Sequence, residues 1–131
     1  MSAPAAEIVE KFQTAFGTGD IETAKKLVAP DCRLYEAPSL PYGGVYEGPA
    51  GFQKLCERVS ASGEFALQPN VYLPIDDERA LLRGHMKITN RETGANVDMP
   101  FLELYTVRDG LIEEVLVCYH DSAAVTATLR D

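Results

Sequence analysis

Glu36 is the first of three acidic residues whose positions in the sequence favour acid–base chemistry. It follows Cys32 and Leu34 at alternate positions, so the three side chains share one face if this segment is a strand. A carboxyl group among apolar neighbours has a raised pKa and can act as a base near neutral pH. Glu36 is therefore a candidate general base, and the alternative is a strand-end glutamate that points into water.

Glu103 is the second acidic residue, and it lies in a strongly apolar segment. Burying a lone charge is costly, so an acid on such a face is protonated, paired or part of a site. The alternative to a site is an ion pair with a cation such as Arg83. Leu102 and Leu104 make the opposite face apolar as well, so the pattern leaves open which face is inward. The residues that share the parity of Glu103 are Val97, Met99, Phe101, Tyr105 and Val107.

Asp121 is the third acidic residue. It follows Val117 and Tyr119 at alternate positions, where the last predicted strand ends. It joins the site if that face is inward. The alternative is that Asp121 caps a short helix in the tail, a role that aspartate fills well.

Aromatic residues supply the candidate ligand contacts. Tyr42 and Tyr46 flank a glycine pair, which lets a loop fold tightly over the rim of a pocket, where the hydroxyl groups hold a polar substituent of a flat ligand. Phenylalanines more often belong to the core, but some of them line the pocket if the fold is open. The candidate substrate-binding residues are Phe12, Phe16, Tyr42, Tyr46, Phe52, Phe101, Tyr105, Tyr119 and His120.

The two histidines and three cysteines do not form a metal site. His85 has basic neighbours and is expected to face solvent or a second subunit, whereas His120 at a strand end either shuttles a proton or is a partly exposed histidine without a role. Neither histidine has metal-ligand spacing to other ligands, so we predict no metal. The odd number of widely spaced cysteines predicts small buried side chains in a reducing compartment.

Length and charge restrict the functional classes. A chain of 131 residues suits one hydrophobic core, so we expect residues 1–131 to form a single domain. Acidic residues number 20 against 12 basic, and the formal net charge of −8 argues against nucleic acid or an anionic membrane as partner. No basic leader precedes an apolar run, and no stretch reaches the roughly 18 apolar residues of a membrane span. We therefore expect a cytoplasmic protein.

Helical spacing dominates the first half of the chain. A first helix begins near Pro4 and ends at Gly17 and Gly19; a second is capped by Asp20 and stops before Pro30. A short strand is predicted for 32–36, and a third helix runs from Pro49 to about residue 63.

Alternating apolar residues in the second half predict four strands, at 65–75, 80–89, 97–108 and 112–120, and a short tail helix from residue 122. Asp109-Gly110 is a strong hairpin signal between the last two strands. Segregated helices and antiparallel strands indicate an α+β fold. A curved sheet that wraps the helices leaves a cone with a pocket at its open end.

The order of these elements and of several short motifs resembles the SnoaL-like polyketide cyclases of the ketosteroid isomerase and nuclear transport factor two-like superfamily. The resemblance spans about residues 5–122 and implies a cone-shaped α+β barrel, with three N-terminal helices packed in a curved antiparallel sheet. It also implies a homodimer formed through the open sheet face, and no cofactor. The motifs are Gly19-Asp20, Ala29-Pro30-Asp31, Tyr42-Gly43-Gly44 to Gly48, Asp109-Gly110 and Tyr119-His120-Asp121.

The same resemblance implies roles for the three acids. Glu36 falls at the position of the catalytic aspartate of the isomerases. Glu103 matches their second acid, which stays neutral and donates a hydrogen bond to a developing oxyanion. Asp121 matches the acid/base aspartate of the SnoaL-like cyclases.

One position departs from the isomerase pattern. Phe12 stands where the isomerases carry a tyrosine in the oxyanion hole, and phenylalanine cannot donate a hydrogen bond. Another donor is needed there, such as Tyr105, Tyr119 or a neutral Glu103.

The leading hypothesis is a cofactor-free enzyme that acts on a small, apolar molecule with a carbonyl group. Glu36 would remove a proton from the carbon beside the carbonyl, and protonated Asp121 or Glu103 would stabilise the enolate oxygen. Isomerisation, aldol-type cyclisation and dehydration share this step. The alternatives are an epoxide hydrolase with paired carboxylates and a non-catalytic module for small-molecule binding or dimerisation.

Overall fold

The computed structural model describes residues 3–68 and 71–130. Within these ranges the chain forms a mixed α+β structure. The helices are α1 (Ala5–Gly17), α2 (Ile21–Lys25), α3 (Gly48–Ser62) and α4 (Ser122–Leu129). The strands are β1 (Val28–Glu36), β2 (Gly44–Glu47), β3 (Glu64–Leu67), β4 (Val71–Pro74), β5 (Arg79–Thr89), β6 (Asn96–Arg108) and β7 (Leu111–Tyr119).

The strands form one strongly curled sheet, a half-barrel against which the N-terminal helices pack. The strand order is β2-β1-β7-β6-β5-β3, and β4 also pairs with β5. Every pair is antiparallel except β1 with β7, which is parallel. The predicted α+β barrel is thus confirmed, with one parallel pair in a sheet that was expected to be antiparallel throughout.

Helix α1 follows its predicted pattern. Ile8, Phe12 and Ala15 recur at three- to four-residue spacing, and all three are buried. The helix ends at Gly17, and Gly19 adopts a positive φ of 79°, a backbone conformation that favours glycine. Phe12 therefore stands on the face of α1 that packs against the sheet.

Helix α2 is shorter than predicted. Asp20 caps it as expected, accepting hydrogen bonds from the backbone N–H and the hydroxyl of Thr23. The helix ends at Lys25, because Val28 already pairs with Ile112 of β7 in the sheet. Pro30 consequently lies within β1, where the register is irregular and a missing N–H costs little.

The predicted strand over residues 65–75 was wrong as a single element. Two short strands, β3 and β4, replace it, and both pair with β5. Residues 69 and 70 between them lie outside the described part of the chain. Strand β2, in a segment that we expected to be only a turn-rich loop, pairs with β1.

The remaining elements are close to their predicted ranges. Asp109 and Gly110 both have positive φ, 53° and 77°, as a tight hairpin between β6 and β7 requires. In β6, Met99, Phe101 and Tyr105 are buried whereas Leu102 is 40% exposed. The face that carries Glu103 is therefore the concave face, the one that looks towards the helices.

None of the helices in the described ranges is long and apolar enough to cross a membrane.

Candidate active site

A cavity of about 1440 Å³ lies between the helices and the concave face of the sheet. Its walls are mainly aromatic and aliphatic, and three polar side chains of its interior are Gln13, Glu36 and Glu103. Two of the three predicted acids therefore meet in one cavity. The aromatic residues that line it are Phe12, Phe16, Phe52, Phe65, Tyr105 and Tyr119.

Glu36 is a buried acid in the site. It ends β1 in phase with buried Cys32 and Leu34, as the alternation predicted, and is only 9% exposed. The hydroxyl of Tyr119 donates a hydrogen bond of 3.1 Å to Glu36 Oε1. Burial, reinforced by nearby Glu103, raises the pKa of Glu36 to about 8, and the Tyr119 hydrogen bond opposes this shift.

Two tyrosine hydroxyl groups form a chain of hydrogen bonds that leads to Glu36. Tyr119 and Tyr42 are hydrogen bonded through their hydroxyl oxygens at 2.7 Å. Burial raises the pKa of both phenols, so both keep their protons over the physiological range. The carboxylate of Glu36 thus has a neutral phenol as its donor.

Glu103 is held by two donors at a single oxygen. Its Oε1 accepts hydrogen bonds from the hydroxyl of Tyr105, at 2.5 Å, and from Nε2 of Gln13, at 3.2 Å. The same Nε2 lies 2.7 Å from the Tyr105 hydroxyl oxygen. Burial raises the pKa of Glu103, and the Tyr105 hydrogen bond opposes the shift. In the described ranges Oε2 has no hydrogen-bond partner, so a protonated Glu103 has this oxygen available to donate to a ligand.

Glu103 does not form the alternative ion pair with Arg83. Arg83 is exposed, and it occupies the opposite parity of β5 from buried Leu82 and Gly84. No ion pair between described residues includes Glu103.

Gln13 is a site residue that the sequence reasoning missed. It follows Val9 by four residues and precedes Phe16 by three, which places it on an inward-facing part of α1. A polar side chain on an otherwise apolar helix face was the signal available. Its contacts with Glu103 and Tyr105 join residues about 90 positions apart.

Asp121 is placed away from these acids. Its side chain is exposed and accepts a hydrogen bond from the backbone N–H of Ala124 at 3.0 Å, so it caps α4. His120 is also exposed and lies outside the cavity lining. Of the two alternatives for Asp121, the structure shows the contact expected of a helix cap.

Besides His120, three of the predicted binding residues lie outside the cavity lining. Phe101 is buried in the core, 2% exposed. Tyr42 is fully buried behind Tyr119, and Tyr46 lies further back, donating from its hydroxyl to the backbone oxygen of Tyr42 at 2.7 Å. The two loop tyrosines thus support the site from behind.

The model of the SnoaL-like domain family matches residues 9–115, most of the chain. The chain belongs to the SnoaL-like family. No curated protein matches it significantly.

Solved structures similar to this SnoaL-like chain share its fold at low sequence identity. An NTF2-like protein of Burkholderia thailandensis E264 is 17% identical, covers 100% of both chains and has a TM-score of 0.89. A candidate polyketide cyclase of Xanthomonas campestris is 22% identical over 95% of each chain, with a TM-score of 0.77. TerC, crystallised with polyporic acid, is 20% identical over 95% of this chain and 97% of its own, with a TM-score of 0.83.

The aromatic wall of the SnoaL-like cavity is built by rings that contact one another. Phe12 and Phe52 have ring centroids 5.1 Å apart, Phe16 and Phe52 6.2 Å, and Phe12 and Tyr105 6.1 Å. Phe12 is thus part of an apolar wall and donates no hydrogen bond. The donors beside it come from Gln13 and Tyr105.

Metal-ligating groups do not converge in the part of the chain that the structure describes: no three side chains of His, Cys, Asp or Glu lie close enough to hold an ion.

Proposed function

We propose that this protein is a cofactor-free enzyme that removes a proton from the carbon beside a carbonyl group in a small, largely apolar molecule. The observation that carries the proposal is the presence of Glu36 and Glu103 in one aromatic cavity, each with a tyrosine hydroxyl as donor and a raised pKa. Acid and base groups with pKa values shifted towards neutrality are common at catalytic sites.

Glu36 acts as the base in this proposal. With a pKa of about 8, roughly a tenth of the molecules carry the carboxylate at pH 7, and that carboxylate is a stronger base than an exposed one. The C–H bond of the substrate breaks, its proton passes to a Glu36 oxygen, and the electron pair moves onto the carbonyl oxygen. Tyr119 keeps the carboxylate oriented.

Glu103 acts as the acid. It is buried beside a second carboxyl group, which disfavours two simultaneous negative charges. Its Oε1 is occupied by Tyr105 and Gln13, so the proton sits on Oε2 and is donated to the enolate oxygen. Glu103 thus supplies the donor that Phe12 cannot.

The aromatic walls favour a flat, apolar substrate. Six aromatic rings line the cavity, and such surfaces stack on conjugated ligands. One protein of similar fold is a candidate polyketide cyclase, and another was crystallised with polyporic acid. Aromatic polyketides and related ketones are therefore the substrates we propose to test first.

Deuterium exchange tests the proposal without knowledge of the product. The protein is incubated in D₂O with a panel of aromatic and cyclic ketones, and incorporation beside the carbonyl is followed by NMR. We expect Glu36→Gln to reduce exchange about 10²-fold or more, because the base is lost while shape is kept. Glu114→Gln, which removes an exposed carboxylate from β7, is the matched control and keeps full activity. Unchanged exchange in Glu36→Gln would remove Glu36 from the mechanism.

Epoxide opening is the second candidate. It is favoured by the pair of carboxyl groups with raised pKa values, since one can activate water while the other protonates the epoxide oxygen. A diol or a cyclic ether formed from an epoxide, in the absence of exchange with ketones, would favour this reaction. Binding of ligands without any turnover would favour a non-catalytic binding module instead.

We also propose that the protein is a homodimer in the cytoplasm. Leu102 and Leu116 are about 40% exposed on neighbouring strands of the outer sheet face, where a second subunit would cover them.

A further inference from the structure

Arg58, on the exposed surface of α3, contacts a loop that leads to the cavity. Its Nη1 donates to the hydroxyl oxygen of Tyr46 at 2.6 Å, and its Nη2 donates to the backbone oxygen of Pro41 at 2.8 Å. The guanidinium also lies 5.6 Å from the centroid of the Tyr46 ring. One arginine therefore joins α3 to both β2 and the loop before it.

Tyr46 connects Arg58 to the backbone of Tyr42. Its hydroxyl accepts from Arg58 and donates to the backbone oxygen of Tyr42, so two consecutive loop carbonyls, at 41 and 42, are held from α3. The loop is tight at this point: a Cβ on Gly43 would lie 2.3 Å from the backbone oxygen of Ala37. The position of the Tyr42 side chain is thereby restricted.

The Tyr42 side chain then reaches the site. Its ring is fully buried and packs edge-on against Phe65, with centroids 5.6 Å apart. When Glu36 is ionised, Tyr119 donates to it, and the Tyr119 oxygen is left to accept from Tyr42. Donation from Tyr42 polarises the Tyr119 hydroxyl and strengthens its bond to the carboxylate.

We propose that Arg58 is a positioning residue, which holds the loop so that Tyr42 donates to Tyr119 and Tyr119 donates to Glu36. This inference rests on the proposed function, in which Glu36 is the base. Arg58 itself touches neither the cavity nor the reacting atoms. Its effect is on the fraction and orientation of ionised Glu36.

Several groups face Glu36 from the elements packed around it, and each bears on its charge. Glu103 on β6 disfavours ionisation, and Tyr119 on β7 favours it. Tyr42 acts through Tyr119. A neutral replacement of Arg58 would remove a positive charge together with the hydrogen bonds, so the experiment must separate charge from hydrogen-bond geometry.

Titration of Glu36 by ¹³C NMR of its carboxyl carbon provides a readout that does not depend on turnover. In Tyr119→Phe the carboxylate loses its donor, and we expect the pKa of Glu36 to rise by about one unit. Arg58→Lys keeps the charge but loses the two-point contact, and Tyr46→Phe keeps the ring but loses the hydroxyl. We expect both variants to raise the pKa in the same direction by a smaller amount. Arg108→Lys, at an exposed ion pair elsewhere, is the matched control and leaves the titration unchanged.

Combining variants tests whether the effect passes through Tyr119. In the Tyr119→Phe background, Arg58→Lys is expected to leave the Glu36 titration unmoved, because the path is already broken. An equal shift in both backgrounds would overturn the proposal, as would no shift from either Arg58→Lys or Tyr46→Phe in folded protein. Amide NMR spectra establish folding for each variant, and Tyr46→Phe serves if Arg58→Lys does not fold.

The two proposals fail separately. Retained exchange activity in Glu36→Gln would refute the proposed base, whatever the titrations show. Unshifted titrations with a Glu36-dependent activity would refute only the role of Arg58.

Discussion

At the scale of single residues, Glu36 makes the stability of the protein depend on pH. Its pKa in the folded protein is about 8, against 4.5 for an unperturbed glutamate. Between these values the folded state holds a proton that the unfolded chain releases. The contribution of Glu36 to stability is therefore fully present below pH 4.5, falls as pH rises towards 8, and is lost above it.

We predict that Glu36→Gln removes this dependence. The amide is neutral at every pH, so the variant gains stability relative to the parent as pH rises from 5 to 8, by up to about 1.4 kcal/mol per pH unit. Urea unfolding at pH 5, 6, 7 and 8 measures the difference. Parallel plots of unfolding free energy against pH for the two proteins would show that the pKa of Glu36 is not raised in the folded state.

Glu103 and Glu36 lie in one cavity but accept hydrogen bonds from different sets of donors. Both carboxyl groups have raised pKa values, but Glu36 has a single phenol donor whereas Glu103 has a phenol and an amide on the same oxygen. Two donors on one oxygen direct the remaining proton to the other. This asymmetry is what assigns the two roles in the proposed reaction.

At the scale of secondary structure, Asp121 belongs to α4. Its contact with the Ala124 N–H is a helix cap, and removing such a cap costs about 1 kcal/mol. We predict that Asp121→Ala loses this stability, whereas Asp121→Asn, which caps equally well, retains it.

Activity separates the cap from a catalytic role for Asp121. The carboxylate is required for acid–base chemistry but not for capping. We expect Asp121→Asn to exchange deuterium as the parent protein does. A large loss of exchange in a fully stable Asp121→Asn variant would restore Asp121 to the mechanism.

Strand β6 illustrates what an element can and cannot specify. Alternation grouped Glu103 with Phe101 and Tyr105, and that grouping is confirmed by their common inward face. The opposite face carries leucines, so the pattern within the strand did not select the inward side. The helices select it by covering one side of the curled sheet.

At the scale of the whole molecule, the outer sheet face is the surface on which the proposed dimer depends. Leu104 pairs with Leu116 across β6 and β7, and Leu102 pairs with Cys118. Apolar side chains on adjacent strands, 40–41% exposed for Leu102 and Leu116, form a patch suited to a second copy.

We predict that Leu116→Lys converts a dimer to a monomer, because a charge buried in an apolar interface is costly. Light scattering coupled to size-exclusion chromatography measures the mass. Thr14→Lys, which adds the same charge on the exposed surface of α1 and away from the sheet, is the control and stays dimeric. A monomeric parent protein would contradict the proposed assembly.

Local regularities in the amino-acid sequence determined most of the element types, the shared face of Cys32, Leu34 and Glu36, the hairpin at Asp109 and the cap at Asp20. They offered a cap at Asp121 only as one of two alternatives. These features depend on residues only a few positions apart, because helix and strand periodicity, helix capping and turn geometry are local. They also sufficed to identify the fold family.

The tertiary structure alone decided which acids meet. Gln13 contacts Glu103 and Tyr105, which lie about 90 residues further along the chain. Asp121 follows Tyr119 of the site by only two residues, yet its side chain is exposed to solvent. The curl of the sheet and the seating of α1 within it set these distances. No local pattern encodes them, because they result from the packing of the whole core.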